Sequence, residues 1–301
     1  MSARRLLRHG SARAAAWCVC ASLWGWCAPA LAQELEPLGG PDPEPLGPRR
    51  GFDGGDRPST PKTLSGGGDP YWLDLSAGMS FVKRSYTLES LEAGLALDSS
   101  FYSTVHVEGA LYPLAPWFQG ELPENIGLLL GFARGSDVTI VEEAELTRRI
   151  PTRHSEFTAG LGLRWPVLPD LWVRGEGGMH ILDFVLGDNP FYSSTTYRAW
   201  WVGASAEYAL LDGVRLDAGF DFIPTASLGV SEQEFGQSSK TLGAIVDLGA
   251  EVDLVGYLYL HGGYRLRWLS TSFQGSGNRG LEAVVTADIF HDLALWVGYR
   301  L

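Results

Sequence analysis

Cysteine is absent from most of this chain, since the three that occur lie near its start, at Cys18, Cys20 and Cys27. They fall within residues 1–32, which combine an arginine-rich beginning, an apolar stretch and the small-residue sequence Ala30-Leu31-Ala32. These are the features of a cleaved secretory signal peptide. We therefore expect an exported mature protein without cysteine, which excludes disulfide bonds and thiol chemistry.

Long apolar runs and basic residues are also scarce. The longest apolar stretch, residues 14–28, is shorter than the ~20 residues that a membrane-spanning helix needs. The chain has 23 basic and 35 acidic residues and a net charge of −12. Loss of the four arginines of the signal peptide would make the charge −16. Such a negative chain is a poor partner for nucleic acid, which is bound by clustered lysine and arginine.

Residues 33–69 lack the periodic apolar side chains that a folded core requires. Seven prolines and nine glycines occupy these 37 positions, together with acidic residues. This composition predicts a disordered linker. A simple spacer is the favoured interpretation, and a tether for a periplasmic partner is the alternative.

From residue 70 to residue 301 the sequence alternates between apolar and other residues with a period of two. In 241–254, every even position is apolar, from Leu242 to Leu254, whereas the odd positions include Asp247, Glu251 and Asp253. Successive side chains of a strand point to opposite faces, so the pattern predicts an amphipathic strand. Ten such strands are expected, near 71–84, 101–113, 125–135, 154–165, 170–182, 197–209, 213–223, 240–254, 257–269 and 281–301.

The last segment, 281–301, could instead be two short strands separated at His291-Asp292. One apolar phase runs through it, however, and a single strand gives the even number that bacterial barrels show. The connections alternate between tight ones, such as 210–212, and long polar ones at 136–153, 183–196 and 224–239. This alternation is typical of an outer-membrane barrel.

A soluble β-sandwich would also show alternating strands, but two features favour an all-β, transmembrane, antiparallel up-and-down barrel. The polar face is rich in glycine, which leaves room for large neighbours inside a narrow barrel. The apolar face carries aromatic residues near the strand ends, as in the two interfacial girdles of membrane barrels. The expected girdle residues are Trp165, Tyr208 and Tyr299 at the short-turn end, and Trp200 and Trp268 at the long-loop end.

The chain ends within a strand whose alternate residues are Leu293, Leu295, Val297, Tyr299 and Leu301. In this pattern, residues 71–301 resemble the outer-membrane β-barrel proteins of Gram-negative bacteria. The resemblance implies a place in the outer membrane, surrounded by lipid and lipopolysaccharide, and assembly by the machinery that reads the last strand. The final residue of that family is usually aromatic, and Leu301 departs from it.

If the polar face points inward, the lumen holds a network of charges. The candidate residues are Asp217, Asp221, Asp247, Glu251, Asp253, Arg174, Arg215, Arg265 and Arg267. We expect Arg265 and Arg267 to face Asp247, Glu251 and Asp253 on the neighbouring strand. A barrel of about ten strands is close to the size that side chains fill, which favours a salt-bridged plug and a structural or interaction role. Because acidic residues outnumber basic ones, the alternative is a narrow, porin-like pore that prefers cations.

An enzyme is the third possibility, since an outer-membrane lipid hydrolase or protease needs a catalytic constellation of side chains. The compact set His154-Ser155-Glu156 is the candidate, but adjacent residues of a strand face opposite sides. No catalytic, metal-binding or cofactor-binding residue is therefore expected. Lipopolysaccharide binding by Arg148 and Arg149, in the segment 136–153, is a further alternative.

Overall fold

The computed structural model describes residues 71–91, 94–118, 122–143, 146–187, 193–282 and 284–301. For 136–143, 146–149 and Ser239 it describes the backbone alone. The expected signal peptide and linker lie outside the described residues. Strands make up nearly all of the described chain. They are β1 (Leu73–Glu89), β2 (Gly94–Asp98), β3 (Tyr102–Leu111), β4 (Ile126–Glu143), β5 (Leu146–Leu168), β6 (Leu171–Leu186), β7 (Thr195–Leu211), β8 (Val214–Ser227), β9 (Gln237–Asp253), β10 (Leu258–Gln274) and β11 (Val285–Arg300).

The strands form one closed antiparallel sheet. From β3 to β11 each strand pairs with the next, β1 pairs with β3, and β11 returns to pair with β1 along its whole length. β2 and β3 together act as one strand against β1, and β2 pairs only with the far end of β1. The pairing shifts by one residue between Ser85↔Asp98 and Val82↔Tyr102, which is the signature of a β-bulge. The sequence prediction of a ten-stranded barrel is therefore confirmed.

The two ends of the barrel differ. One end, here called the turn end, carries Tyr71, Leu301 and the connections that follow β5, β7 and β9. These connections are short, and Gly213 has a φ of 74°, a left-handed conformation that a side chain disfavours. The opposite end, here called the loop end, carries the connections after β6, β8 and β10, and the one after β8 contains a short helix, Val230–Phe235. None of the helices in the described ranges is long and apolar enough to cross a membrane.

The prediction of a long polar loop over 136–153 was wrong. β4 and β5 continue as a paired hairpin as far as Glu143↔Leu146. The β-branched run Val138–Val141 accounts for the difference, because such residues favour extended backbone even beside charged neighbours. The expected loops at 183–196 and 224–239 are likewise shorter than predicted, since β6 ends at Leu186 and β9 begins at Gln237.

The connection between β3 and β4 covers part of the turn end. Tyr112 is fully buried there, packs edge-on against Tyr71 at a centroid distance of 5.6 Å, and contacts Leu129. A single turn of 3-10 helix, Leu122–Asn125, then leads into β4. The connection therefore begins with a tyrosine buried against Tyr71, which the alternation rule alone does not predict.

The outer wall is apolar. Its side chains remain exposed in the isolated chain, including Leu75, Met79, Val105, Leu130, Phe132, Leu161, Val202, Phe220, Leu248, Leu293, Leu295 and Val297. A continuous apolar belt around a closed sheet is suited to contact with lipid, where every backbone group must be paired internally. The long last strand keeps one phase through His291, which faces outward and bonds to the Tyr264 hydroxyl at 2.8 Å.

Candidate functional site

The barrel interior holds two different layers. The half nearer the turn end is lined by charged residues and encloses a cavity of about 590 Å3, here called the turn-end cavity. The half nearer the loop end is filled mainly by buried apolar side chains, here called the apolar core, with buried serine and threonine side chains among them. The largest fully buried members of the apolar core are Tyr197, Phe184, Phe235, Phe290, Leu182 and Ile223.

Arg300 and Arg215 organise the charges at the mouth of the turn-end cavity. Arg300 binds Asp74 through Nη2 at 2.9 Å and Glu251 through Nη1 at 2.8 Å. Arg215 binds Glu251 from the neighbouring strand at 2.5 Å and also contacts Asp253. Glu251 thus bridges two arginines, which compensates the cost of placing its carboxylate against the wall of a barrel.

Aromatic rings cover two of the arginines at this mouth. Arg164 lies 3.7 Å from the centroid of the Tyr112 ring and 4.3 Å from that of Tyr71. The guanidinium carbon of Arg300 lies 4.6 Å from the centroid of the Tyr71 ring. Burial raises the pKa of the Tyr71 hydroxyl, so the ring stays neutral at ordinary pH. Cation–π contacts of this kind can hold an arginine without a carboxylate partner, and among the described residues Arg164 has none.

Trp296 occupies the middle of the cavity wall between two histidines. Its ring stacks on His261 at 4.8 Å with an interplanar angle of 6°, and on His106 at 5.0 Å. Each histidine in turn contacts a carboxylate: His261 lies 2.9 Å from Asp217, and His106 lies 3.2 Å from Glu108. The stack fixes two imidazoles at the same height of the lumen.

The boundary between the cavity and the apolar core is formed by Glu156. Its Oε1 accepts from Arg267 Nη2 at 2.6 Å and from His180 Nε2 at 3.0 Å. All three side chains are buried. A carboxylate with two cationic or hydrogen-bonding neighbours is a stable way to end a polar layer beneath an apolar one.

One ion pair lies inside the apolar core itself. Arg84 Nε and Nη2 bind the two carboxylate oxygens of Asp288 at 2.7 and 2.5 Å. Asp288 also accepts from the Tyr197 hydroxyl at 3.2 Å, and Arg84 donates to Thr195 Oγ1 at 3.1 Å. The guanidinium carbon of Arg84 lies 4.0 Å from the Phe184 ring centroid, so the charge is enclosed by aromatic rings and fully paired.

The nine charged residues predicted for the lumen all line the turn-end cavity. Arg265 contacts Asp247 on the neighbouring strand and reaches Glu108 at 3.3 Å. Arg267 differs from the expectation, because the antiparallel register places it opposite Ile245. Its partner is Glu156, on a different part of the barrel.

Two more of the predicted residues line the cavity from β6 and β8, and they differ in their partners. Arg174 binds Glu176 at 2.9 Å. Asp221 forms no hydrogen bond or ion pair with any side chain that the structure describes. Its carboxylate is thus available to water in the cavity.

The five predicted girdle residues lie on the outer face. Their side chains are between one-third and two-thirds exposed, at Trp165, Trp200, Tyr208, Trp268 and Tyr299. Sequence reasoning missed the pairing of Arg84 with Asp288, and it missed the position of Trp296 between the histidines. The sequence could have placed Trp296 in the lumen, because it occupies an even position of β11, as do the inward-facing Asp292 and Arg300.

The charge of the cavity is negative. Twelve carboxylates and six arginines line it, and no lysine does so. Among the described residues there is no cluster of three metal-ligating side chains. The candidate catalytic pair His154 and Ser155 is divided by the wall, because His154 is buried inside the barrel and Ser155 belongs to the outward phase of β5.

Comparison with known proteins assigns no family to this chain. No protein-family model and no curated protein matches the chain. Among solved structures, the outer membrane protein OprG from Pseudomonas aeruginosa is 11% identical with a TM-score of 0.41, and the alignment covers 78% of this chain and 98% of OprG. The toluene transporter TodX of P. putida is 8% identical with a TM-score of 0.29 over 81% and 93% of the two chains.

A third similar structure is OmpT, an outer membrane protein of Vibrio cholerae, at 8% identity and a TM-score of 0.27 over 73% and 97% of the chains. At such identities the likeness does not extend to activity. The architecture rests on the chain itself: a closed, ten-stranded antiparallel sheet with an apolar exterior. This protein has the fold of an outer-membrane β-barrel, as its sequence predicted.

Proposed function

We propose that this protein is exported to the outer membrane, where it forms a barrel closed to solutes and has a structural or interaction role. The observation that carries this proposal is the apolar core. Leu182, Phe184, Tyr197 and Phe290 are almost completely buried inside the loop-end half of the barrel. Ions and polar solutes lose their hydration in a narrow apolar constriction, and such constrictions close channels by excluding water.

The Arg84–Asp288 ion pair supports the same conclusion. It links β1 to β11 inside the apolar core, and Tyr197 of β7 adds a contact from the other side of the barrel. A buried pair joined through Arg84 Nε and Nη2 resists separation, because either partner alone would be an uncompensated charge. Hydrogen bonds across the lumen therefore stabilise the apolar core in addition to its side-chain packing.

Single-channel recording of the refolded exported chain in a planar bilayer tests the proposal. We expect no discrete conductance steps, while heat-modifiable gel mobility of the same preparation shows folded barrel and flotation with lipid shows insertion. Regular unitary steps from the unmodified chain would contradict a closed lumen.

A narrow, cation-preferring pore is the second candidate function. The observation that favours it is the excess of carboxylates over arginines around the turn-end cavity. In a salt gradient, a pore of this kind would show a reversal potential whose sign indicates that K+ is more permeant than Cl−. Neutralising Glu251 and Asp253 together, as Glu251→Gln with Asp253→Asn, would lower both the conductance and the selectivity. A silent parent chain removes this candidate.

The surroundings of the barrel complete the proposal. Outer-membrane lipid and lipopolysaccharide would contact the apolar exterior, and the barrel-assembly machinery would read β11. Leu301 extends the pairing of that strand, because its N–H donates to the Leu73 carbonyl at 2.9 Å. We assign no catalytic role, since His154 and Ser155 lie on opposite sides of the wall, and no cofactor.

A further inference from the structure

The outer wall contains a groove that is separate from the lumen. It has a volume of about 370 Å3 and is lined by Met79, Val105, Arg134 and Arg153, together with the chain at 103–104 and Gly135. This volume falls within the ~300–1,000 Å3 range of small-molecule sites. The four side chains belong to four strands, β1, β3, β4 and β5.

The groove lies where the pairing of two strands ends. The register of β3 with β4 stops at Thr104↔Gly135, whereas β4 and β5 continue together towards the loop end. Beyond Val82↔Tyr102, β1 pairs with β2 in place of β3. The wall beside β4 is therefore no longer a continuous ladder above Gly135, and a recess opens on the side that faces lipid.

The two arginines of the groove are unlike those of the lumen. Arg134 and Arg153 are exposed on the outward face. Among the arginines whose side chains the structure describes, these two and Arg198 have no hydrogen bond or ion pair. Asp183, on the far side of Arg153 from the groove, forms no ion pair with it.

Arg134 and Arg153 are close enough to share a ligand. Arg134 lies opposite Ser155 in the register of β4 with β5, so Arg153 is its diagonal neighbour. Diagonal neighbours on one face of a sheet are about 7–8 Å apart, within reach of long side chains. Two unpaired guanidinium groups at this separation repel each other unless an anion lies between them.

Their height on the wall indicates which anion is available. On the same two strands, Phe132 pairs with Phe157, and both rings are exposed at the edge of the apolar belt. Arg134 is two residues and Arg153 four residues closer to the loop end than these rings. Arginines beyond the apolar belt lie at the level of lipid headgroups, where the guanidinium group binds phosphate through two parallel hydrogen bonds.

We propose that this groove binds a phosphate-bearing lipid of the surrounding leaflet. Arg134 and Arg153 hold the headgroup phosphate, and Met79 and Val105 contact the first part of an acyl chain. Met79 and Val105 are 50% and 58% exposed, which gives the groove an apolar floor that a free phosphate ion would not use. This inference rests on the proposed place in the outer membrane but not on a closed lumen.

Lipid retention measured by native mass spectrometry tests the site. The full exported chain is refolded into phosphatidylcholine vesicles with a small fraction of bisphosphorylated lipid A, and then released into mild detergent. We expect one lipid A to remain bound, and the double variant Arg134→Gln/Arg153→Gln to reduce the retained fraction at least tenfold. Arg198→Gln is the matched control, because it removes another unpaired outward arginine away from the groove.

Further experiments distinguish binding of the phosphorylated lipid from binding of its acyl chains alone or of free phosphate. Lipid A without phosphates should not be retained, and millimolar inorganic phosphate should not displace the bound lipid. Arg134→Lys/Arg153→Lys should keep part of the binding, since it preserves the charge without the paired hydrogen bonds. Retention by the glutamine double variant equal to that of the parent would overturn the proposal, as would an equal loss in Arg198→Gln or displacement by phosphate. Heat-modifiable mobility shows that each variant is folded. Conductance recorded on the same samples reports separately on the lumen.

Discussion

Arg84 and Asp288 form a bidentate ion pair in the middle of an apolar core, with their side chains 1% and 0% exposed. The pair joins β1 to β11, the two strands whose pairing closes the barrel. At this position in the loop-end half, strand closure depends on charge as well as on packing. The consequences for stability can be measured separately for each partner.

Removing Arg84 alone should destabilise the barrel strongly. In Arg84→Met, Asp288 keeps only the Tyr197 hydroxyl at 3.2 Å as a described side-chain partner. An unpaired buried charge costs about 3–5 kcal/mol, so we expect a loss of that size in the free energy of unfolding. Equilibrium urea unfolding in lipid vesicles measures it.

The double variant Arg84→Met/Asp288→Leu is the control for this interpretation. Because no isolated charge remains, it should be more stable than Arg84→Met and closer to the parent chain. A double variant at least as unstable as the sum of the two single variants would contradict a role for charge pairing.

The charge layers of the lumen should differ in their contribution to stability. Glu156 holds two buried partners, Arg267 and His180, so Glu156→Gln should cost about 3 kcal/mol. Asp247→Asn should cost about 1 kcal/mol or less, because Arg265 is partly exposed to the cavity and still reaches Glu108. Thermal and urea unfolding of both variants test the order. An Asp247 variant less stable than the Glu156 variant would show that the ion pairs of the cavity contribute more to the free energy of unfolding than the buried Glu156 group does.

The fold was largely predictable from the sequence because its signal is local. The alternation seen at 241–254 gives both the strand and its outward face, and the same pattern in β11 gave one strand across His291. Likewise, the register of a hairpin with a tight turn follows from the turn, so Arg265 beside Asp247 was within reach of sequence reasoning.

Contacts across the lumen were beyond such reasoning. Arg267 and Glu156 lie on strands far apart in the sheet order, and their meeting depends on the tilt and diameter of the closed barrel. The apolar core was missed for a related reason. Toward the loop end the inward phase becomes apolar, as at Phe290, and alternation then no longer distinguishes the two faces. The lumen was expected to be filled by salt bridges alone because the inward-facing residues were assumed to be polar along the whole length of each strand.

Barrel closure should depend on Gly78, at the seam between β1 and β11. A Cβ at this position would lie 2.3 Å from the Leu295 carbonyl oxygen and 2.5 Å from Trp296 Cα. Those atoms are backbone and cannot move without opening the strand pair. Gly78→Ala should therefore cost at least the ~1–3 kcal/mol of overpacking and lower the folded fraction on heat-modifiable gels. Gly262→Ala is the control, because its nearest contact would be a leucine methyl group at 4.0 Å. Equal folding of the two variants would contradict a tight seam.

Thinning the apolar core should open the barrel. Phe184 and Phe290 lie with ring centroids 6.3 Å apart above the Glu156 layer, and both are buried. The double variant Phe184→Ala/Phe290→Ala removes two rings from the constriction and lets water reach the acidic cavity from the loop end. We expect discrete conductance steps that select K+ over Cl−, because the cavity has an excess of carboxylates. Phe220→Ala, which removes a ring from the lipid-facing side, should stay silent. A folded and inserted double variant that remains silent would mean that the other core residues, Leu182 and Tyr197 among them, close the lumen without the two rings.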